Sequence, residues 1–147
     1  MKSRRTAMAT AISAVIFLAA CSGSAAEPAT TTEPLPRDLP ALEFGTGVLP
    51  VTVPLNFPIP EPSAITTTMI DGSRELTEVA FNVGGALHDV SSFYTTNLPN
   101  LGYEITEVSD EGGGTTIVFI GHGIDGAVTL KVAGQNVTAG TLIFVYA

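Results

Sequence analysis

The chain of 147 residues has no tryptophan, one cysteine and only six lysines and arginines against fourteen aspartates and glutamates. A single cysteine excludes an internal disulfide framework and a cysteine-rich zinc site. The formal net charge of −8 argues against a nucleic-acid partner, because phosphate recognition needs a basic surface. The length favours one domain over two large ones.

The first 20 residues have the layout of a secretory signal peptide. Three basic residues come first, and residues 7–20 are then uncharged and mostly apolar. This stretch is shorter than the roughly 20 apolar residues of a membrane-spanning helix. Arg4-Arg5 is also typical of twin-arginine signals, but Ala7 stands where that motif has a bulky apolar residue. The general secretory route is favoured and the twin-arginine route stays open.

The apolar stretch ends in Leu18-Ala19-Ala20-Cys21. This motif resembles the lipobox of bacterial lipoproteins, in which an apolar residue and two small residues precede a cysteine. The resemblance implies that the Cys21 thiol receives a diacylglyceryl group and that cleavage makes Cys21 the first mature residue. It also implies a location at the cell membrane, lipid-anchored on the extracytoplasmic face. The alternative is an ordinary signal peptide with a chance cysteine.

Residues 21–40 contain the lipidation candidate and a small, polar segment rich in proline and threonine. This segment has too little apolar surface to offset the entropy of ordering, so we predict a disordered tether. Whether its threonines are glycosylated stays open. Loss of residues 1–20 leaves three basic residues against fourteen acidic ones, a net charge of −11. We therefore expect anionic headgroups to repel the folded part.

Residues 41–62 are apolar and contain five prolines between positions 50 and 62. These prolines remove backbone donors every few residues, which neither a central strand nor a helix tolerates. We therefore expect an extended strap that packs against another surface. Its own domain, a partner protein and a lipid are the three alternatives.

Residues 63–147 are predicted to form a globular α+β domain, with one helix packed on one face of an antiparallel sheet of about six strands. The predicted order is β-β-α-β-β-β-β, because alternating apolar residues and glycine turns favour hairpins after the helix. The helix is predicted over residues 86–101, where apolar side chains form one stripe. On this stripe, Phe93 is expected to be buried between helix and sheet.

Residues 117–120 and 142–146 are apolar on both faces of their predicted strands. A strand with one face in water should instead alternate apolar and polar residues. We therefore expect both strands to be central and the face opposite the helix to be covered at least in part. The strap is the nearest cover, and a dimer mate or an extended apolar ligand would serve equally. The oligomeric state stays open.

No pattern in the chain indicates catalysis. His88 and Asp89 are neighbours on the predicted helix and so point in different directions, and His122 lies alone in a glycine-rich tip. With Asp125, the histidines lack the usual spacing of a metal site. We therefore predict no catalytic residue, no metal and no cofactor, and we do not expect an enzyme.

The predicted helix and the strand after it share a local pattern, which consists of Asp89-Val90, Phe93-Tyr94, Leu98 and Leu101-Gly102-Tyr103. It resembles a segment of small bacterial lipoproteins and secreted domains in which a Phe-Tyr pair is followed by leucine and then Gly-Trp or Gly-Tyr. The lysine-poor composition, rich in Ala, Thr, Gly and Val, resembles that of actinobacterial proteins. The resemblance implies a small extracytoplasmic α+β domain and no particular activity.

These observations favour a membrane-anchored lipoprotein that serves as a non-catalytic binding or scaffold module of the cell envelope. The membrane is one expected partner, and an envelope protein, a glycan or an apolar ligand is the other. A carrier of lipid or another apolar ligand is the alternative, and an envelope enzyme is a third hypothesis. The sequence does not identify the ligand.

Overall fold

The computed structural model describes residues 40–147. Cys21, the predicted signal peptide and the predicted tether up to residue 39 lie outside this range. The described chain forms a seven-stranded sheet and an α-helix. The elements are β1 (Glu43–Gly45), β2 (Ser63–Asp71), β3 (Leu76–Gly84), α1 (Leu87–Asn100), β4 (Glu104–Glu111), β5 (Gly114–Gly121), β6 (Ile124–Gly134) and β7 (Val137–Tyr146). In residues 40–147, no helix has the length and apolar character needed to cross a membrane.

The strands lie in the order β1-β2-β3-β7-β6-β5-β4, and every neighbouring pair is antiparallel. The predicted antiparallel α+β architecture with one helix is confirmed in this outline. Residues 63–147 contribute six strands, as predicted, and a seventh strand that was not predicted, Glu43–Gly45, pairs with β2 from within the predicted strap. Strand β7 is central, as expected from its apolar sequence. Residues 117–120 are not central, since β5 is the second strand from the edge.

Two of the three tight turns that connect the strands of the second half have the same backbone form. Gly112 and Gly113 both have positive φ angles, as do His122 and Gly123. Two consecutive residues with positive φ are the signature of the type I′ turn, whose twist matches that of a β-hairpin. These two turns are therefore compact connections that continue the ladders on both sides.

The core lies on one face of the sheet. Its strand side chains are at most 1% exposed and comprise Val79 and Phe81 of β3, Leu142 and Phe144 of β7, Val128 and Leu130 of β6, and Ile117 and Phe119 of β5. Helix α1 covers this face with Val90, Tyr94 and Leu98. These three residues lie four positions apart, so they form one row along the helix.

Helix α1 turns its predicted apolar stripe towards the sheet, but Phe93 is less buried than expected. Tyr94 is completely buried, whereas Phe93 is only partly buried and packs edge-on against Tyr94 with ring centroids 5.3 Å apart. Consecutive helical residues point about 100° apart, so the sheet contacts the row through Tyr94 and leaves Phe93 at its border. Burial raises the pKa of the Tyr94 hydroxyl.

The strap consists of two successive β-turns after β1. The backbone N–H of Val53 donates to the carbonyl of Pro50, and that of Phe57 donates to Pro54, each over 3.0 Å. Pro50 and Pro54 occupy the first position of each turn, where the carbonyl group accepts the closing hydrogen bond and no backbone N–H is required. Thr52 is held from two sides, by the Thr77 hydroxyl at 2.7 Å and by the Tyr146 hydroxyl, which donates to the Thr52 carbonyl.

Phe57 joins the core at the side of the helix. Its ring lies 4.8 Å from that of Phe144, 5.5 Å from Phe119 and 5.6 Å from Tyr103, measured between centroids. The strap therefore shares one sheet face with α1. The expectation that the strap covers the opposite face is wrong, because one helix of 14 residues leaves part of the seven-stranded face bare and the strap fills that remainder.

Candidate functional site: an uncovered sheet face

The sheet face opposite α1 carries no other element of residues 40–147, since both the helix and the strap pack on the first face. Its side chains are half-buried or exposed. The strand register arranges them in three rows that cross the sheet. We call these rows the open face: Thr67, Ala80, Thr141, Thr129, Thr116 and Ser109; Met69, Glu78, Ile143, Ala127, Val118 and Glu107; Leu76, Val145, Asp125, Ile120 and Glu104.

The first row is a line of hydroxyl groups interrupted once by alanine. Thr141, Thr129 and Thr116 occupy three adjacent strands in direct register. The hydroxyl oxygens of Thr116 and Thr129 lie 3.4 Å apart. Threonine favours strands because its branched side chain packs well on a pleated surface. The row therefore offers neutral donors and acceptors without the desolvation cost of charges.

The second row is apolar at its centre. Ile143, Ala127 and Val118 stand side by side in β7, β6 and β5. In the third row, Val145 and Ile120 flank this centre and are 39% and 40% exposed. A contiguous apolar patch of this kind is typical of an interaction surface.

The charges on the open face are mostly negative. Glu104 and Glu107 lie on the edge strand β4, Asp125 lies in β6, and Glu78 lies in β3. One positive charge, Lys131, stands beyond the hydroxyl row, opposite Ala139. The face thus combines an apolar and hydroxylated centre with an acidic border along β4.

The β4 edge itself is poorly suited to strand addition. Its register shifts between Ile105 and Glu107, and the hydroxyl of Thr106 in this bulge donates to the Val118 carbonyl over 3.3 Å. Bulges and charged side chains are the usual means of preventing edge-to-edge pairing. The β4 edge is therefore protected against pairing with a strand of another chain.

The residues considered for catalysis or metal binding are not brought together. His88 lies in the first turn of α1, and the Nε2 atom of His122 lies 2.9 Å from the carbonyl oxygen of Leu101, just beyond the last turn. At 1.5 Å per residue these positions are about 20 Å apart. The His122 ring also packs edge-on against Tyr103, and Asp125 lies on the open face. Among residues 40–147, no three histidine, cysteine or acidic side chains are close enough to hold a metal ion.

The turn between β2 and β3 binds one of the positive charges. The Asp71 carboxylate accepts hydrogen bonds from the hydroxyl of Ser73 and from Nε of Arg74, both over 2.6 Å. These bonds lower the pKa of Asp71 to about 2. Arg74 is thus paired within its own turn, whereas Lys131 is exposed on the open face.

A small cleft lies at the start of α1. It is lined by Gly85, Leu87, Val132 and Asn136, among others, and has a volume of about 190 Å³. Sites for drug-sized ligands usually have about 300–1,000 Å³. The cleft is therefore small for a lipid chain or a comparable ligand.

Sequence reasoning anticipated that a second face needed cover but did not identify its residues. The available signal was the alternation in β6 and β7, where Ala127 and Thr129, and Ala139, Thr141 and Ile143, follow each other at every second position. Small and hydroxylated residues at this spacing indicate a half-buried surface.

Comparison with protein-family models, with curated proteins and with solved structures found no match to this chain.

Proposed function

We propose that this chain is a membrane-anchored extracytoplasmic lipoprotein whose folded part is a non-catalytic binding module of the cell envelope. The lipobox-like residues Leu18–Cys21 support the anchor. The observation that carries the binding role is the open face, a half-exposed sheet surface with an apolar centre that nothing in residues 40–147 covers.

The chemistry of this surface suits the recognition of a macromolecule. Burial of Val118, Ile120, Ile143 and Val145 would contribute roughly 25 cal/mol per Å² of apolar area. The hydroxyl row supplies hydrogen bonds that restrict the register of the partner, and the acidic border selects against anionic partners. The rigid ladder holds all of these groups in fixed positions before binding.

Two other functions are less well supported. A carrier of an apolar ligand needs an enclosed cavity, whereas the side chains between helix and sheet pack to 0–1% exposure at Tyr94, Phe81 and Phe119. An enzyme needs acid–base or nucleophilic groups in one cleft, whereas His88 and His122 lie at opposite ends of α1.

The anchor is tested by replacing the lipidation candidate. Cys21→Ala should abolish membrane attachment and leave unprocessed or soluble protein, because the thiol is the atom to which the lipid is transferred. Ser24→Ala, three residues away, is the matched control and should stay in the membrane fraction. Fractionation with labelled palmitate measures both. Equal labelling of Cys21→Ala and the parent would contradict the proposed anchor.

The binding role is tested by the accessibility of the open face in membranes. A polar maleimide should label Thr129→Cys at least tenfold more slowly in membranes than in dilute purified protein, because a partner excludes the reagent. Lipidation of Cys21 leaves the introduced thiol as the only reactive one. Thr96→Cys, on the exposed side of α1, should react equally in both. Equal rates at Thr129→Cys would contradict the proposed role.

A further inference from the structure

We propose that the occupant of the open face is a second copy of this chain, packed sheet to sheet about a two-fold axis that runs along the central strand β7. This proposal rests on the proposed function, since it names the partner of the same surface. The parts of the chain that could cover the face from within residues 40–147 are already committed to the other side, where Phe57 and Tyr94 are buried.

The size of the face fits a stable dimer. The six long strands, β2 to β7, at about 4.8 Å spacing and with about 8 residues each at 3.3 Å rise, span on the order of 800 Å². A standard protein–protein interface buries about 800 Å² on each partner. Two sheets packed face to face align within about 30° of each other, with side chains interdigitating between them.

The charges determine the direction of the axis. A two-fold axis across the strands would place β4 over the β4 of the second copy and bring the acidic side chains of this strand, Glu104 and Glu107 among them, together. An axis along β7 instead reverses the strand order of the second copy. Strand β4 of one copy then lies over β1 of the other, and β3 lies over β6 of the other. Like charges facing each other cost several kcal/mol, so the second arrangement is the favourable one.

Individual residues match in this second arrangement. An axis along the strands keeps each row at its own level, so the hydroxyl row meets the hydroxyl row and Thr141 lies on the axis. Glu78 in β3 of one copy then lies over Ala127 in β6 of the other copy. Asp125 in β6 likewise lies over Leu76 in β3 of the other copy. Lys131 lies over Asn82. Glu78, Asp125 and Lys131 thus meet uncharged residues across the interface.

The acidity of the chain gives the dimer a characteristic salt dependence. Two copies with net charge −11 repel each other at long range, and salt screens this repulsion. The dissociation constant of the dimer should therefore fall as the salt concentration rises from 0.05 to 0.5 M, on the order of a few-fold to tenfold. A complex with a basic partner would weaken under the same change.

Sedimentation of the mature lipidated chain in a neutral detergent tests the axis. Thr141→Lys should raise the dimer dissociation constant at least tenfold, because it places two ammonium groups together on the axis. Thr96→Lys on the outer side of α1 makes the same change in net charge and should leave dimerisation equal or slightly stronger. Thermal unfolding of both variants establishes that they are folded. A monomeric parent at all salt concentrations, or equal effects of the two lysines, would overturn the proposal.

Cross-linking in membranes separates this proposal from the proposed function. A short bis-maleimide should join two copies of Thr141→Cys, because the two thiols face each other on the axis, and Ser92→Cys on the helix should give no such product. A cross-linked product of Thr141→Cys with a different protein would overturn the proposed dimer but would support the proposed binding role. If the polar maleimide labels Thr129→Cys at its full rate in membranes and Thr141→Cys gives no cross-linked product, both the dimer and the binding role are overturned.

Discussion

Replacement of Phe57 by alanine should lower the free energy of unfolding by about 3–5 kcal/mol, the usual cost of truncating a buried phenylalanine. Phe57 is 7% exposed and packs against three aromatic rings, those of Tyr103, Phe119 and Phe144. Alanine would leave a cavity between strap and sheet and would remove the favourable edge-to-face contacts. A domain of this size has about 5–15 kcal/mol of stability, so the loss is a large fraction of the total.

Leu55→Ala is the matched control for this prediction. Leu55 lies two residues away in the same β-turn but is 81% exposed, so its truncation should change stability by less than about 0.5 kcal/mol. Urea unfolding at neutral pH measures both variants, provided that the slope of the transition is unchanged. If Phe57→Ala and Leu55→Ala unfold at the parent's midpoint, the strap does not belong to the folded core.

Replacement of Gly140 by alanine should destabilise the sheet by about 1–3 kcal/mol or more, although only one methyl group is added. A Cβ atom at Gly140 would overlap the ring of Phe81, its cross-strand neighbour in β3. Phe81 is 1% exposed, so the ring has no free space into which it could move. The same arrangement recurs at Gly126, where a Cβ would overlap the ring of Phe119 in β5.

A second substitution distinguishes this overlap from a general intolerance of alanine. Gly84→Ala should be nearly neutral, because nothing lies within 4 Å of the added Cβ at this strand end. Phe81→Leu combined with Gly140→Ala should cost less than the sum of the two single changes, since a smaller side chain removes the overlap. Strict additivity of the two free energies, measured by chemical unfolding, would contradict a direct contact between them.

The role of Phe57 connects the core to the proposed anchor. If the chain is anchored as proposed, the strap joins the predicted tether to the first long strand, so any pull from the membrane would reach the domain through this segment. Phe57 in the core and Thr52 between Thr77 and Tyr146 hold the strap on the helix side. The open face on the other side remains accessible to a partner, whichever way the tether runs.

Much of the fold could be predicted because the signals are local. Alternating residues in β3 and β6, the helical stripe and the glycine turns each depend on a few neighbouring residues. The order of elements from β2 to β7 follows from these signals alone. The strand β1 was missed because three residues carry no periodicity, and their extended form depends on hydrogen bonds to β2.

The helical register needed the sheet. Phe93 and Tyr94 are adjacent aromatic residues of similar apolar area, so the sequence supports either as the buried one. Packing decides between them, since Tyr94 lies in one row with Val90 and Leu98 whereas Phe93 would bring Asn97 into the core. In the structure Asn97 instead donates its side-chain amide to the Phe93 carbonyl over 2.7 Å.

The sequence by itself determined the class of the fold, the acidity of the chain and the candidate lipidation residue Cys21, because these follow from composition and short motifs. Only the tertiary structure decided which face the strap covers. Burial of an apolar side chain such as Phe57 is favourable but is not directional, so no local pattern says against which face it packs. Phe57 packs on the part of the helix-side face that α1 does not cover. The face with the threonine row therefore has no cover from residues 40–147.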